Sequence, residues 1–239
     1  MSTVTLDNFE QHYISARRKE NRVYADEVVR WLPEIDLSHP HYREWQTRKK
    51  SSDRLIQHLA AKKTELSILE IGCGNGWLCA QLSKIPGSNV AGADINLTEL
   101  SQAKRVFGHI ENLEFFNGDI SQETINGEEF DIIVFAASIQ YFRSFEEIIS
   151  KALRLLTSTG EIHILDSFFY RSNELETARR RTAEYYESIQ SPEMTRHYFH
   201  RCVDELKPYH YHILYNPYSF THRFTKNNSP FHWICIYHA

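Results

Sequence analysis

Cysteine is scarce in this chain of 239 residues: Cys73, Cys79, Cys202 and Cys235 stand far apart, and no two form a C-x-x-C pair. That excludes a disulfide framework and a thiolate zinc site, and it suits reduced thiols in a cytosolic protein. Long apolar runs are missing too. No segment approaches the roughly 18 apolar residues of a membrane helix. The opening MSTVTLDNFEQHY has neither the basic start nor the apolar core of a signal peptide. A cytoplasmic protein without membrane contact is expected. Net charge is only −4, so no global field draws the chain to nucleic acid or anionic lipid. Basic clusters are local (ARRKENR from Ala16, RKK from Arg48, RRR from Arg179) and mixed with acids, as on solvated helix faces.

What is present is a change of rhythm. From Phe9 to about Lys63 the spacing of apolar residues is helical, broken at Pro33 and Pro40. From Ser67 strands and helices alternate: SILEI, then GWLCAQLSKI; NVAGADI, then LTELSQAKRVFGHI, with Asn96 or Thr98 able to cap it. LEFFNGDI and FDIIVFAAS follow as strands, FEEIISKALRLL as a helix and TGEIHILDSFF as a fifth strand. Alternation of this kind implies parallel pairing through right-handed crossovers, hence an open α/β sheet. After Arg171 two helices are predicted, parted near Pro192, and HYHILYN and FHWICIY then read as an antiparallel closing pair joined by a polar stretch.

Ligands of such sheets sit at the carboxyl ends of the strands, where strand order reverses. The first strand–helix turn, ILEIGCGNGWLC from Ile68 to Cys79, carries Gly72, Gly74 and Gly76. Glycines there allow positive φ and close approach of backbone to ligand. A dinucleotide fingerprint needs its third glycine where Trp77 stands, and an indole opposes close packing of helix on strand. Asp94 and Asp119 end the next two strands, and a carboxylate at the end of the second can accept both hydroxyls of a ribose.

LEIGCGNG resembles the E/D-x-G-x-G-x-G motif of class I S-adenosylmethionine-dependent methyltransferases, over about Ser67 to Phe168. The resemblance implies a Rossmann-like, mostly parallel seven-stranded sheet flanked by helices. It implies that Gly72, Cys73, Gly74 and Gly76 form a loop around the methionine part of S-adenosylmethionine, with Glu70 supporting the loop or the ligand's amino group. Asp94 and Ile95 would meet the ribose, Asp119 and Ile120 the adenine, and Ala136 would stand at the end of the fourth strand, beside the methyl group. The implied division is an N-terminal helical cap over residues 1–63 and a methyltransferase domain over 64–239 with a helical insertion at about 171–209, together one compact unit.

The implied reaction is methyl transfer to oxygen or nitrogen of a small or medium-sized acceptor, chiefly by proximity and orientation. SIQYF stands where other members often carry a His-containing turn, so Gln140 replaces that His. The candidate acceptor-site residues are Tyr141, Gln140, Tyr13 and His12. The string NPY at Asn216 follows a much later strand and is a decoy by position. Aromatic residues crowd the last third, and Tyr185, Tyr186 and His197 are expected in a cap that selects the acceptor. The pairs His197/His200 and His210/His212 lack an E-x-x-H pattern, and no metal is expected. Competing readings are a NAD-type oxidoreductase, a binding protein without catalysis, and an RNA methyltransferase resting on RRR at Arg179.

Overall fold

The computed structural model describes residues 9–125, 129–219 and 229–238. Nine strands appear among them: β1 (Leu66–Ile71), β2 (Ser88–Asp94), β3 (Leu113–Asn117), β4 (Phe130–Ala136), β5 (Leu156–Leu165), β6 (Phe169–Tyr170), β7 (Arg201–Cys202), β8 (His210–Tyr215) and β9 (Trp233–Tyr237). Seven of them form one sheet in the order β3-β2-β1-β4-β5-β9-β8, while β6 and β7 pair separately. Strands β1 to β5 run parallel. The last strand, β9, inserts antiparallel between β5 and β8, so the closing pair sits on the sheet as expected, with β9 alone reversed.

Both faces of the sheet are covered, which is why its strands read as nearly continuous apolar runs. Leu66, Ile68, Ile132 and Val134 face one core with α3 (Tyr42–Ala60), α4 (Trp77–Leu82) and α5 (Leu97–Phe107). Their neighbours Leu69, Ile71, Ile133 and Phe135 face the other, with α6 (Phe145–Arg154). Helices α5 and α6 start at polar side chains that cap their first turns. Asn96 accepts from Glu99 N–H at 3.1 Å at the start of α5, and Ser144 from Glu147 N–H at 3.1 Å at the start of α6.

The N-terminal segment divides. Helix α1 (Phe9–Lys19) lies against the 3-10 turn Pro192–His197, with Ala16, Tyr186 and Met194 as their shared core. The single turn α2 (Asp26–Val29) is tied to α5 by Gln102 and Arg105 on Asp26. Helix α3 belongs to the flanking layer: Leu55 and Leu59, 0% and 1% exposed, are buried in the same core as β1 and β4. Helix α3 thus packs on the sheet through Leu55 and Leu59, while its Glu44 and Arg48 reach the strand-end cavities. The apolar stripe of α3 fits a sheet face, which sequence periodicity cannot tell from a cap.

Of the two helices expected after Arg171, α7 (Leu175–Ser188) forms. The second does not. Pro192 opens a 3-10 turn to His197, Phe199 N–H turns to Gln140 O at 2.7 Å, and Arg201–Cys202 pair with Phe169–Tyr170. These long-range partners take the backbone groups that a helix would have used. The polar stretch between the closing strands falls largely on residues 220–228, outside the described residues. Among those described, no helix is long and apolar enough to cross a membrane.

Candidate active site

Strand order reverses between β1 and β4, and the glycine turn opens at that point. Gly72 N–H and Cys73 N–H both donate to Ala93 O, at 2.8 and 3.1 Å, holding the turn against the end of β2. Asp94 fixes it further. One carboxylate oxygen accepts from Gly74 N–H at 2.7 Å and the other from Asn96 N–H at 2.7 Å. Gly74 and Gly76 both sit at positive φ, +54° and +77°, but they do different work. A Cβ on Gly74 would point toward the Glu99 carboxylate, 3.3 Å away, at the edge of a cavity. A Cβ on Gly76 would lie 2.6 Å from the Phe115 ring and 2.9 Å from Ala103 Cβ. Gly76 therefore packs closely at the start of α4 and, unlike Gly74, does not line the cavities at this turn.

The cavity at this turn measures about 260 Å³. The structure brings Gly72, Gly74, Asp94, Ile95, Asp119 and Ile120 together in its wall, with Tyr13 and Tyr141. Asp119 also caps the following 3-10 turn, accepting from Ser121 N–H at 2.8 Å. Glu70, Cys73 and Ala136 line instead a smaller adjoining cleft of about 80 Å³, which shares Gly72 and Gly74 and also holds Arg17, Arg22 and Arg48. Glu70 is 2% exposed and accepts from Cys79 Sγ at 2.9 Å, so it braces the turn from behind.

A much larger cavity, about 820 Å³, lies beside these, and Ala137 and Tyr141 belong to its wall and to that of the cofactor-sized cavity alike. One side is the helical stripe Thr177, Ala178, Arg181, Thr182 and Tyr185 of α7, with Tyr186 beside it. The other is a chain of ion pairs: Arg17 and Arg22 on Glu20 at 3.3 and 3.4 Å, then Arg22 and Arg48 on Glu44 at 2.6 and 3.1 Å. Gln140 is 8% exposed and spends its amide on the turn, donating to Ala137 O at 2.6 Å and accepting from Ser167 Oγ at 2.8 Å. It positions the wall. His12 lines none of these three cavities, its ring meeting that of His197 at 3.4 Å. His197 faces the cofactor-sized cavity, so it parts company with Tyr185 and Tyr186.

The sequence profile of the methyltransferase-domain family matches residues 62–216, from just before β1 to just past β8. The chain belongs to this family. Its fold is that of the class I S-adenosylmethionine-dependent methyltransferases. It is 28% identical over 122 residues to the malonyl-[acyl-carrier protein] O-methyltransferase of Halalkalibacterium halodurans, covering 47% of this chain and 45% of that one. It is also 28% identical, over 142 residues, to the Acetivibrio thermocellus protein of the same name, covering 57% and 50%. The chain thus spans about half the length of the curated relatives it matches. Among solved structures, the plantazolicin methyltransferase BpumL in complex with a triazolic desmethylPZN analogue and SAH superposes with a TM-score of 0.58, at 19% identity over 97% of this chain and 98% of that one. That likeness concerns the fold.

The smaller cavity of this family member is lined to suit a cationic ligand. Asp94, Glu99 and Asp119 reach it, and no described lysine or arginine does. A sulfonium and an ammonium suit such a wall, and the pyrophosphate of a dinucleotide does not. Sequence reasoning missed Glu99, whose place three residues after the capping Asn96 reads only as a helix start. It also missed Phe9 and Ser138, which line the same cavity from α1 and from beyond β4. Among the histidines, His58 and His163 come within 4.8 Å of each other and Glu161. Trp233 Nε1–H donates to His163 Nδ1 at 3.1 Å, however, which leaves the proton on Nε2, directed at Glu161 3.2 Å away. That ring has no lone pair turned to the cluster.

Burial raises Glu99 to about 7, with the nearby Asp94 charge adding to it. Burial likewise raises Glu70 to about 8. A carboxyl raised on folding stabilises the folded chain fully below its unfolded value, near 4.5, and loses that stabilisation as pH climbs through its folded value. Glu99→Gln, which does not titrate, should therefore gain on the wild type between pH 4.5 and about 7 and keep the gain above. Thermal melts of both ligand-free proteins across that window check the sign. A constant difference would show that Glu99 titrates normally.

Proposed function

We propose that this chain transfers a methyl group from S-adenosylmethionine to oxygen or nitrogen of a small or medium-sized acceptor held in the large cavity. S-adenosylmethionine supplies, when bound, an electrophilic methyl group on a sulfonium. Asp94, Glu99 and Asp119 would hold its cationic and hydroxyl-bearing parts, and Arg17, Arg22 and Arg48 in the adjoining cleft complement a carboxylate. One observation carries the reading. The two cavities share Ala137 and Tyr141 in their linings, so an acceptor in the larger would meet the methyl group of a cofactor in the smaller at that junction. Holding reactants in line supplies much of the acceleration for an activated methyl group. Phe9 and Tyr13 of α1 cover the smaller cavity, which limits water at the transfer step. The second cavity also disfavours a binding protein without catalysis, which would need only the first.

Within this reading α1 and residues 175–198 act as the cover that selects the acceptor. Tyr185 and Tyr186 line the large cavity and not the cofactor-sized one. The double variant Tyr185→Ala/Tyr186→Ala is expected to keep its affinity for S-adenosylmethionine while turnover of the acceptor falls about tenfold or more, roughly 1.4 kcal/mol in the barrier. Calorimetry and S-adenosylhomocysteine release separate the two effects. Lost cofactor affinity with unchanged acceptor selection would reassign both tyrosines to packing.

A further inference from the structure

We propose that Asp166 takes the proton from the acceptor's nucleophile, so that the acceptor is a hydroxyl or an amine rather than a carboxylate. This rests on the methyl-transfer reading above. Asp166 directly follows β5, as Ala137 directly follows β4. The two strand ends are in register, Ala136 opposite Leu165, with Ala137 N–H donating to Leu165 O at 3.0 Å. Both chains then turn left-handed, at φ +54° for Ala137 and +52° for Asp166. That conformation is costly for residues with a side chain and collects at functional sites. Ala137 is part of the wall common to the two cavities, and Asp166 lines the acceptor cavity beside it. Asp166 thus stands one strand over from Ala137, a residue of the wall that the two cavities share.

Its surroundings leave it available. Asp166 is 9% exposed, and one oxygen accepts from Ser51 Oγ at 2.7 Å, itself 6% exposed on α3. Arg17, Arg22 and Arg48 on this side of the cavity pair with Glu20 and Glu44. A buried carboxyl is expensive to keep for packing alone. Burial pushes it above the ordinary carboxylate range, Arg48 and Arg54 of α3 pull it down, and Glu44 of α3 pushes it up. Tyr141, in the 3-10 turn after β4, and Tyr170, in β6, line the same cavity. A base raised in this way is better matched to proton abstraction near neutral pH.

The step balances without a redox partner. The acceptor's X–H proton passes to a carboxylate oxygen of Asp166, and the new X–C bond forms. The S–C bond of the sulfonium donor breaks, its electron pair staying on sulfur. The proton on Asp166 then leaves to solvent. A carboxylate acceptor, already ionised, would give Asp166 no proton to take.

The test uses the full chain with S-adenosylmethionine and three matched probes: phenol, benzylamine and benzoate. Methylated probe and S-adenosylhomocysteine are read by mass spectrometry. Phenol or benzylamine should be methylated and benzoate not. Asp166→Asn, which keeps the Ser51 hydrogen bond, should lower kcat by about 100-fold or more, with cofactor affinity by calorimetry unchanged. Infrared difference titration of wild type against Asp166→Asn should show a carboxyl losing its proton above the ordinary carboxylate range. Ser51→Ala, a second variant, should move the acidic limb of the pH–kcat profile upward, since the carboxylate loses its hydrogen-bond donor. The proposal is overturned if benzoate alone is methylated, if a chain that binds S-adenosylmethionine methylates neither phenol nor benzylamine, or if folded Asp166→Asn keeps kcat within about threefold. A chain that fails to bind S-adenosylmethionine at all would overturn the underlying reading, visibly and separately, in the calorimetry.

Discussion

Gly74→Val is expected to abolish S-adenosylmethionine binding in a chain that still folds, whereas Gly76→Val is expected to unfold much of it. The two glycines are two residues apart and both lie at positive φ, +54° and +77°, so backbone strain of about 1–3 kcal/mol is common to both substitutions. Their surroundings separate them. At Gly74 the first atom a Cβ meets is the end of the Glu99 side chain, 3.3 Å away, which can swing aside. The isopropyl group then projects into the cofactor-sized cavity, about 260 Å³ in all, and takes the ligand's place. At Gly76 the Cβ meets the Phe115 ring at 2.6 Å and Ala103 at 2.9 Å, both in the core and neither able to retreat. Overpacking adds about 1–3 kcal/mol to the strain. A total of roughly 2–6 kcal/mol is a large part of a typical folding stability of 5–15. Melting curves and calorimetry on the two variants distinguish the outcomes. Equal melting temperatures, or retained binding by Gly74→Val, would contradict the division.

Asp94→Ala is expected to weaken cofactor affinity by about 100-fold, near 3 kcal/mol, and so more than the loss of one ligand hydrogen bond. Asp94 lines the cavity, but its two oxygens also hold Gly74 N–H and Asn96 N–H at 2.7 Å each. Alanine removes a contact to the ligand and at the same time releases the turn that shapes the cavity. Each charge-assisted hydrogen bond contributes about 1.5–3 kcal/mol. Asp94→Asn, which keeps an acceptor for one N–H, should lose less than the alanine variant. Equal losses in the two would mean that the charge alone matters, and unchanged affinity in folded Asp94→Ala would remove Asp94 from the site.

The sheet was legible in the sequence because its signals are local. Buried parallel strands such as Ile68–Ile71 read as short apolar runs, the helices between them carry caps such as Asn96 and Ser144, and glycine marks the first turn. The acids at successive strand ends, Asp94 and Asp119, were found by the same logic. What failed depended on partners far away in the chain. Residues 191–209 carry helical spacing, yet Phe199 bonds Gln140 and Arg201–Cys202 pair with Phe169–Tyr170. Trp77 was read as an obstacle to close packing of helix on strand. It lies edge-on to Trp45 at 5.2 Å and 87°, and the close approach is made by Gly76 instead. Asp166 gave no signal at all, since a lone acid after a strand becomes meaningful only when Ala137 and Ser51 are seen beside it.

On the proposed function, the glycine turn and its carboxylates hold S-adenosylmethionine. Isothermal calorimetry of the wild-type chain with S-adenosylmethionine, S-adenosylhomocysteine and NAD tests it most directly. Micromolar binding of the first two, roughly −7 to −8 kcal/mol, with no heat from NAD, is the predicted result. Tight NAD binding without a response to S-adenosylhomocysteine would contradict it.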